Sequence, residues 1–116
     1  MDITRLHVGP TLSEAAVHYG TVYLAGQVAS DVTHNIDGQT REVLRHIDRL
    51  LEEAGSDKSR ILMCQIFLSD IKDFSDMNAV WNAWVADGNA PPRATVEAKL
   101  AKPEWLVEMV VTAAQK

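Results

Sequence analysis

The first third of the chain is predicted to form strands. Apolar and polar residues alternate over residues 3–8, which is typical of a β-strand with one buried face, and residues 15–19 and 21–25 are the second and third candidate strands. Residues 18–21, His-Tyr-Gly-Thr, suit the tight turn of a hairpin between the second and third segments. Residues 28–37 are rich in Ser, Asp, Asn and Thr, so we predict a loop there.

A helical period replaces the alternation from Gly38 to Ala54. Apolar side chains recur there every three or four residues and form one stripe: Val43, Leu44, Ile47, Leu50 and Leu51. Residues 61–68 are strongly apolar over a short length, as in a buried strand. A second helix, capped by Asp70 or Asp73, is predicted from a second apolar set at helical spacing: Phe74, Met77, Val80, Trp81, Trp84 and Val85.

Two further strands, over residues 94–100 and 106–114, complete the order β-β-β-α-β-α-β-β. Two helices can cover one face of a sheet of about six strands, so we predict an α+β fold with both helices on one face of a mixed sheet. The last strand is apolar on both faces, with Leu106 and Val110 on one and Val107, Met109 and Val111 on the other. A bare apolar face needs cover, and we expect a second copy of the chain to supply it.

The charge balance excludes some function classes. The 116 residues include 11 Lys and Arg against 16 Asp and Glu, a net charge of −5, so nucleic acid is not an expected partner. We expect a single domain over residues 1–116. The lone cysteine, Cys64, permits no internal disulfide and suits a reducing compartment. Since the sequence has neither a membrane-length apolar run nor an apolar signal core, we expect a cytoplasmic protein without a membrane partner.

The common metal-binding and catalytic motifs are absent. The four histidines lack the spacing of metal ligands, and there is no glycine-rich phosphate loop or nucleophile elbow, so we predict no metal and no cofactor. Cys64 is expected to be a buried structural thiol, and Trp81 and Trp84 are expected to pack in the core. The charged residues between Arg41 and Glu53 are interpreted as a solvated helix face without a function.

Arg93 and Glu108 break their local patterns. Arg93 follows two prolines at the start of a strand, so its backbone is well fixed. Glu108 lies in mid-strand among apolar neighbours, where desolvation would raise the pKa of its carboxyl group and a nearby arginine would lower it. From the residues alone, the simpler alternative is preferred to a catalytic one: an ordinary Arg–Glu ion pair, or an edge glutamate that reaches water.

Several segments together resemble one protein family. They are Pro92–Leu100 (PRATVEAKL), Val107-Glu108-Met109, Leu24-Ala25-Gly26-Gln27, Asp73–Asn78 (DFSDMN) and Trp81–Val85 (WNAWV). In these segments the chain resembles the YjgF/RidA family, also called the endoribonuclease L-PSP family, and it looks closest to the YoaB-like branch. The similarity extends over essentially the whole chain and agrees with the strand and helix order predicted above.

The resemblance implies a chorismate-mutase-like fold and a homotrimer. In such a trimer the sheets form a central barrel, the helices lie outside, and three pockets lie between subunits. It also implies a hydrolase that needs no cofactor. The best-known family activity is the hydrolytic deamination of reactive enamine and imine intermediates, of the 2-aminoacrylate and 2-iminobutanoate type, to 2-keto acids and ammonia.

The family's pocket residues match particular positions of this sequence. Arg93 matches the arginine that binds the substrate carboxylate, and Glu108 matches the glutamate that positions water and shuttles its proton. Thr95 stands where the archetype has a cysteine. Asn78 and Gly26 match pocket-lining positions.

Two positions depart from the archetype. Its N-terminal loop tyrosine corresponds to about Leu12 here, beside Ser13, which becomes a further candidate for substrate binding. Its serine before Gly-Gln is replaced by Ala25. Loss of these two polar groups leaves open a non-enzymatic protein that binds small carboxylates or regulates a partner. A third alternative is the endoribonuclease of the family's older label, which the acidic balance and the lack of a catalytic histidine pair disfavour.

Overall fold

A computed structural model describes residues 2–116 of the chain. In these residues the structure has six strands and two α-helices, in the order predicted from the sequence. Their bounds are β1 Thr4–Val8, β2 Ser13–His18, β3 Thr21–Leu24, α1 Ile36–Glu53, β4 Ile61–Leu68, α2 Phe74–Trp84, β5 Arg93–Glu97 and β6 Val107–Ala114. Short 3₁₀ turns at Lys58–Arg60 and Ile71–Asp73 precede β4 and α2.

All six strands form one mixed sheet in the order β1-β2-β3-β6-β4-β5. Strands β4 and β5 run parallel because α2 returns the chain to the same end of the sheet, and the other neighbours run antiparallel. The predicted turn joins β2 to β3. Tyr19 and Gly20 have φ angles of 51° and 76°, the pair of positive angles that a tight two-residue hairpin requires.

The core lies between the helices and one face of the sheet. Every apolar residue predicted for the α1 stripe is buried to 1% exposure or less. These side chains face the inward residues of β6, namely Val107, Met109, Val111 and Ala113, and similar residues of β3 and β4. Burial of this shared apolar surface stabilises the packing of helices on sheet.

The helix starts follow from polar caps. The Asn35 side chain accepts a hydrogen bond from the Gly38 backbone N–H at 3.1 Å, so α1 begins two residues before the predicted start. Asp70 caps the 3₁₀ turn by accepting from Lys72 N–H at 2.9 Å. Asp73 occupies the N-cap position of α2 but makes no capping bond with its side chain.

One charged residue of α1 is not solvated as predicted. Glu42 is only 8% exposed, and its carboxylate accepts hydrogen bonds from the backbone N–H groups of Ser30 and Asp31 at 2.5 and 3.1 Å. It also lies 2.8 Å from Nε2 of His46. The interpretation of this residue as part of a featureless solvated face is therefore wrong, because Glu42 attaches the loop of residues 28–35 to the helix.

The second face of the sheet carries no helix. Its central residues on β6 are Glu108, Val110 and Thr112, and their neighbours in register on β4 are Phe67, Gln65 and Met63. Leu106 precedes β6 and packs against the helix-side core, which differs from its predicted placement beside Val110. Apolar side chains nevertheless remain open on this face, since Tyr23 is 52% and Val96 49% exposed.

The expectations that Cys64 is a buried thiol and that Trp81 packs in the core are confirmed, because both side chains are buried. Trp84 is partly buried and packs against the same core. Among residues 2–116, no three His, Cys, Asp or Glu side chains are grouped as metal ligands would be. Neither described helix is long and apolar enough to span a membrane.

Candidate functional site

Arg93 opens β5, the strand at one edge of the sheet. It pairs in register with the buried Cys64 of β4, so its side chain projects on the side of the helices. There, guanidinium Nη1 donates a hydrogen bond to Oδ1 of Asn78 on α2 at 2.7 Å. The rings of Trp81 and Phe74 lie 5.2 and 5.7 Å from the guanidinium carbon. The side chain is therefore held by one amide and two aromatic faces.

Among the described residues, the Arg93 guanidinium has no acidic partner. No carboxylate among residues 2–116 lies within ion-pair distance of Arg93, and its hydrogen bond goes to a neutral amide oxygen. An arginine has five N–H donors in a planar fork, and Asn78 engages one nitrogen. The remaining donors have the geometry to receive a carboxylate through two parallel bonds.

Thr95 follows Arg93 on the same side of β5. Its hydroxyl Oγ1 is buried and has no hydrogen-bond partner among the described residues. A buried hydroxyl without a partner is unusual, because leaving it unsatisfied costs free energy. Thr95 thus offers one unused polar atom on the same side of this strand as the uncommitted guanidinium.

The nearby Cys64 thiol is suited to packing rather than to chemistry. Burial raises the pKa of this thiol to about 12, and the positive charge of Arg93 offsets only part of that effect. At neutral pH the sulfur therefore stays protonated, and a protonated thiol is a poor nucleophile.

Glu108 lies on the opposite face of the sheet, in contact with Gly26. A Cβ atom at residue 26 would overlap Oε2 of Glu108 and lie 3.0 Å from its carboxyl carbon. Gly26 is held there because the next residue, Gln27, exchanges two backbone hydrogen bonds with Met109 of β6, at 2.8 and 3.1 Å. The absence of a side chain at residue 26 creates the space that the carboxylate fills.

The Glu108 side chain also lines a surface depression. The depression encloses about 260 Å³ and is bordered by Phe67 and by residues 98–101, which connect β5 to β6. Glu108 is half-buried in the single chain. Glu108 therefore lies at a concave surface that remains open to water.

The single chain does not bring Arg93 and Glu108 together. Arg93 is on the helix side of β5, Glu108 is on the open side of β6, and β4 lies between the two strands. The preferred alternative of an ordinary Arg–Glu pair is therefore wrong within one chain. In the other alternative the strand position is wrong, because β6 is a central strand, but Glu108 does reach water because its side chain is half-buried.

Comparisons with known proteins agree with this fold and with these motifs. The sequence profile of the family described as endoribonuclease L-PSP matches residues 3–115. The chain belongs to this family. A RutC family protein of Haemophilus ducreyi is 48% identical over 97% of this chain and 96% of its own length. The RutC family protein YoaB of Escherichia coli is 42% identical over 98% of this chain and 99% of its own length.

A solved structure gives the same result. A member of the YjgF protein family from Neisseria meningitidis matches with a TM-score of 0.97 and 46% identity, covering 100% of this chain and 97% of that one. The predicted YjgF/RidA membership, the likeness to YoaB and the α+β fold are confirmed.

In this YjgF/RidA family member the candidate residues form two groups. Arg93, Asn78 and Thr95 belong to the helix side of the sheet, while Gly26 and Glu108 belong to its open side. Ser13 starts β2 at the same end of the sheet as Gly26, because the carbonyl of its neighbour Glu14 accepts a bond from the Ala25 N–H at 2.9 Å. Leu12, beside Ser13, is 54% exposed.

Sequence reasoning missed the aromatic residues that hold Arg93. Trp81 was expected to serve the core alone, yet its ring also packs against the guanidinium. Phe74 is 37% exposed, so it is not a plain core residue. The signal was present, because Phe74, Asn78 and Trp81 are spaced i, i+4 and i+7 and must share one face of α2.

Proposed function

We propose that the protein is a hydrolase that converts reactive 2-imino acids, and their enamine tautomers, to 2-keto acids and ammonia. The observation that carries this proposal is the Arg93 guanidinium, which is oriented by Asn78 and two rings but paired with no carboxylate among the described residues. In an ordinary structural ion pair the guanidinium would contact a carboxylate, and among residues 2–116 it contacts none. A preorganised, unpaired fork instead suits a small ligand that carries a carboxylate.

We further propose that the complete site lies between copies of the chain in a homotrimer. The open sheet face supports this assembly, because Tyr23, Phe67, Val96 and Val110 leave an apolar surface uncovered. In the assembly, the open face of one chain would bring its Glu108 to the β5 edge of a neighbour, where Arg93 lies. The substrate would then contact Arg93 of one chain and Glu108 of another.

The proposed reaction begins with the substrate carboxylate bound to Arg93. Glu108 accepts a proton from a water molecule while the water oxygen forms a bond to the carbon of the protonated imine, and the C=N π electrons move to nitrogen and neutralise its charge. The product is a carbinolamine with one hydroxyl and one amino group on the former imine carbon. Glu108 returns the proton to this nitrogen, and the C–N bond breaks to release ammonia as the carbonyl forms. The carboxylate of Glu108 accepts the proton that the hydroxyl loses, and this proton leaves with the ammonia as ammonium.

Two further features fit a small, polar substrate. The Thr95 hydroxyl is buried and has no partner among the described residues of the single chain, so a substrate group that reached it would satisfy an unpaired polar atom near Arg93. The hydrolysis calls for no metal or cofactor, since water and one carboxylate supply its proton transfers. A free Cys64 thiol suits a reducing compartment, and we place the reaction in the cytoplasm.

A coupled assay tests the proposal. A threonine dehydratase generates 2-iminobutanoate, and semicarbazide traps the imine that escapes hydrolysis. We expect the wild-type protein to reduce semicarbazone formation, and Arg93→Ala to lose nearly all of this effect. Arg45→Ala, which removes an exposed arginine of α1 away from the candidate residues, is the matched control and should behave as wild type.

Two results would contradict the proposal. One is a wild-type protein that leaves semicarbazone formation unchanged, and the other is an Arg93→Ala variant as active as wild type. A third result would favour the alternative function. If binding of 2-ketobutyrate is saturable and requires Arg93, but the protein hydrolyses no imine, the protein is a binder of small carboxylates. That outcome would agree with the polar groups lost at Leu12 and Ala25.

A further inference from the structure

A surface groove between the two helices lies apart from the site described above. We call it the interhelical groove. It encloses about 300 Å³, its apolar wall comprises Leu44, Val80 and Trp84, and its cationic rim comprises Arg41, Arg45 and Lys58. The groove shares none of these six residues with the Arg93 or Glu108 groups. A cavity of this size is at the lower end of the range for small-molecule sites.

The charge of the groove opposes that of the whole chain. The chain has a net charge of −5, yet no acidic residue among those described lines this cavity. Within residues 2–116, the Arg45 guanidinium has neither a hydrogen bond nor an ion pair. Arg41 lies 3.6 Å from Asp37, and both side chains are exposed, so that pair is weak.

Lys58, the third cation of the rim, is held in place by hydrogen bonding and ring packing. Lys58 Nζ donates to the backbone carbonyl of Trp84 at 2.6 Å and lies 5.2 Å from the centroid of the Trp84 ring. The ring is fixed in turn, because its Nε1 donates to Asp48 at 2.9 Å. An ammonium group has three donors, so two remain for a ligand. Lys58 has a structural role, because it caps the C-terminus of α2. This cap gives no role to Arg45, which lies on α1.

We propose that the interhelical groove binds a small organic anion with an aromatic or aliphatic body. The carboxylate or phosphate of the ligand contacts Arg45 and Lys58, and its body packs on Leu44, Val80 and the Trp84 ring. The positions of Lys58 and Trp84 are set before binding, so ordering these two groups costs little. This site shares no residue with the Arg93 or Glu108 groups. The two regions meet where the Trp84 ring of the groove contacts the Trp81 ring that packs on Arg93, with the ring centroids 5.4 Å apart.

Nuclear magnetic resonance titration of the ¹⁵N-labelled protein tests the proposal. The probes are 1-naphthyl phosphate and 1-naphthoate, with neutral 1-naphthol as the uncharged control. We expect both anions to shift amide signals of α1 and α2 around the groove, with weaker binding at high salt. 1-Naphthol should produce smaller shifts there, and the two anions together show whether phosphate or carboxylate is preferred.

Three variants test whether the anions bind in the interhelical groove. Arg45→Ala should weaken binding of the anions about fivefold, the scale of one exposed charge pair. Arg49→Ala, one helical turn further along α1 and outside the groove, should bind as wild type. Arg93→Ala should also retain binding, which distinguishes this site from the proposed hydrolytic one.

The proposal is overturned by any of three results. One is no shift at the groove residues at millimolar probe concentration, and another is equal binding of 1-naphthol. The third is unchanged affinity in Arg45→Ala. The test relies on Arg45 because Lys58→Ala removes a helix cap and can fail to fold.

Discussion

The Glu108 carboxylate fills the space that a side chain at Gly26 would occupy. This contact joins two distant segments of the chain and places an acid on the open face of the sheet, beside apolar residues such as Phe67 and Val110. Since the nearest atoms belong to the flexible end of the Glu108 side chain, a methyl group at residue 26 would displace the carboxylate and leave the backbone in place.

Gly26→Ala is therefore expected to separate activity from stability. The free energy of unfolding should change by less than about 1 kcal/mol, while imine hydrolysis falls sharply because Glu108 loses its position. Gly20→Ala should give the reverse pattern, since the φ angle of 76° at Gly20 strains an alanine far from the site. Thermal unfolding and the semicarbazide assay measure both quantities. Full activity in Gly26→Ala would contradict the role assigned to this contact.

Asn78→Asp tests whether Arg93 must remain unpaired. The new carboxylate should form an ion pair with the guanidinium and compete with the ligand, so 2-ketobutyrate binding should weaken about tenfold or more. Asn82→Asp adds the same charge at an exposed position one turn later on α2 and should bind as wild type. Calorimetric titration provides the affinities, and equal affinity in the two variants would contradict a carboxylate-binding role for Arg93.

Glu42 should contribute to stability above acidic pH. Burial acts to raise the pKa of its carboxyl group, but the Ser30 and Asp31 N–H groups and His46 together lower it below the ordinary 4.5. The unfolded chain thus binds more protons, so this stabilisation is present above pH 4.5 and is lost as the pH falls through the folded-state pKa.

Two variants check this role of Glu42. Glu42→Gln should reduce the free energy of unfolding by about 1–3 kcal/mol near neutral pH and make its decline in acid shallower. Glu52→Gln, an exposed acid on the same helix, should change it by less than about 0.5 kcal/mol. Urea unfolding across the acidic range measures both effects, and identical curves for the two variants would show that the loop does not depend on Glu42.

Cys64 should resist thiol reagents in the folded protein. Because burial raises the pKa of its thiol to about 12, the thiolate is scarce at pH 8, and an aromatic disulfide reagent should react fully only after unfolding. Because of the same pKa shift, the folded state keeps the Cys64 proton to a higher pH than the unfolded chain does. The stabilisation that follows from this difference is lost as the pH rises from 9 toward 12. If the reagent reacts rapidly and stoichiometrically with the native protein, Cys64 is not shielded from solvent as the structure indicates.

The sequence predicted the fold well because its signals are local. The α1 stripe, the apolar β4 and the hairpin turn each depend on residues near one another in the chain, and the structure reproduces them. The bounds of the last two strands were predicted less accurately. β5 was expected to extend to residue 100, but it ends at Glu97, the last residue of β5 that pairs in register with β4. Strand ends are set by pairing partners, which local periodicity does not contain.

The site was harder to predict because it depends on register between distant strands. Arg93 and Glu108 were both identified as exceptional, but their placement on opposite faces follows only from the pairing of β4 with β5 and with β6. The burial of Glu42 has a similar origin, since its partners are backbone groups of a loop with no strong pattern. The types of side chain were enough to select the candidate residues. The pairing of distant strands determines which of these residues lie on the same face of the sheet.

The central claim is that Arg93 of one chain and Glu108 of another form a single site, and subunit mixing tests it most directly. Arg93→Ala and Glu108→Gln should each be inactive alone. After joint unfolding and refolding at equal amounts, random assembly should give about a quarter of the sites both intact groups, and hence about a quarter of wild-type activity. Mixed assemblies with no more activity than either variant alone would contradict a site shared between chains.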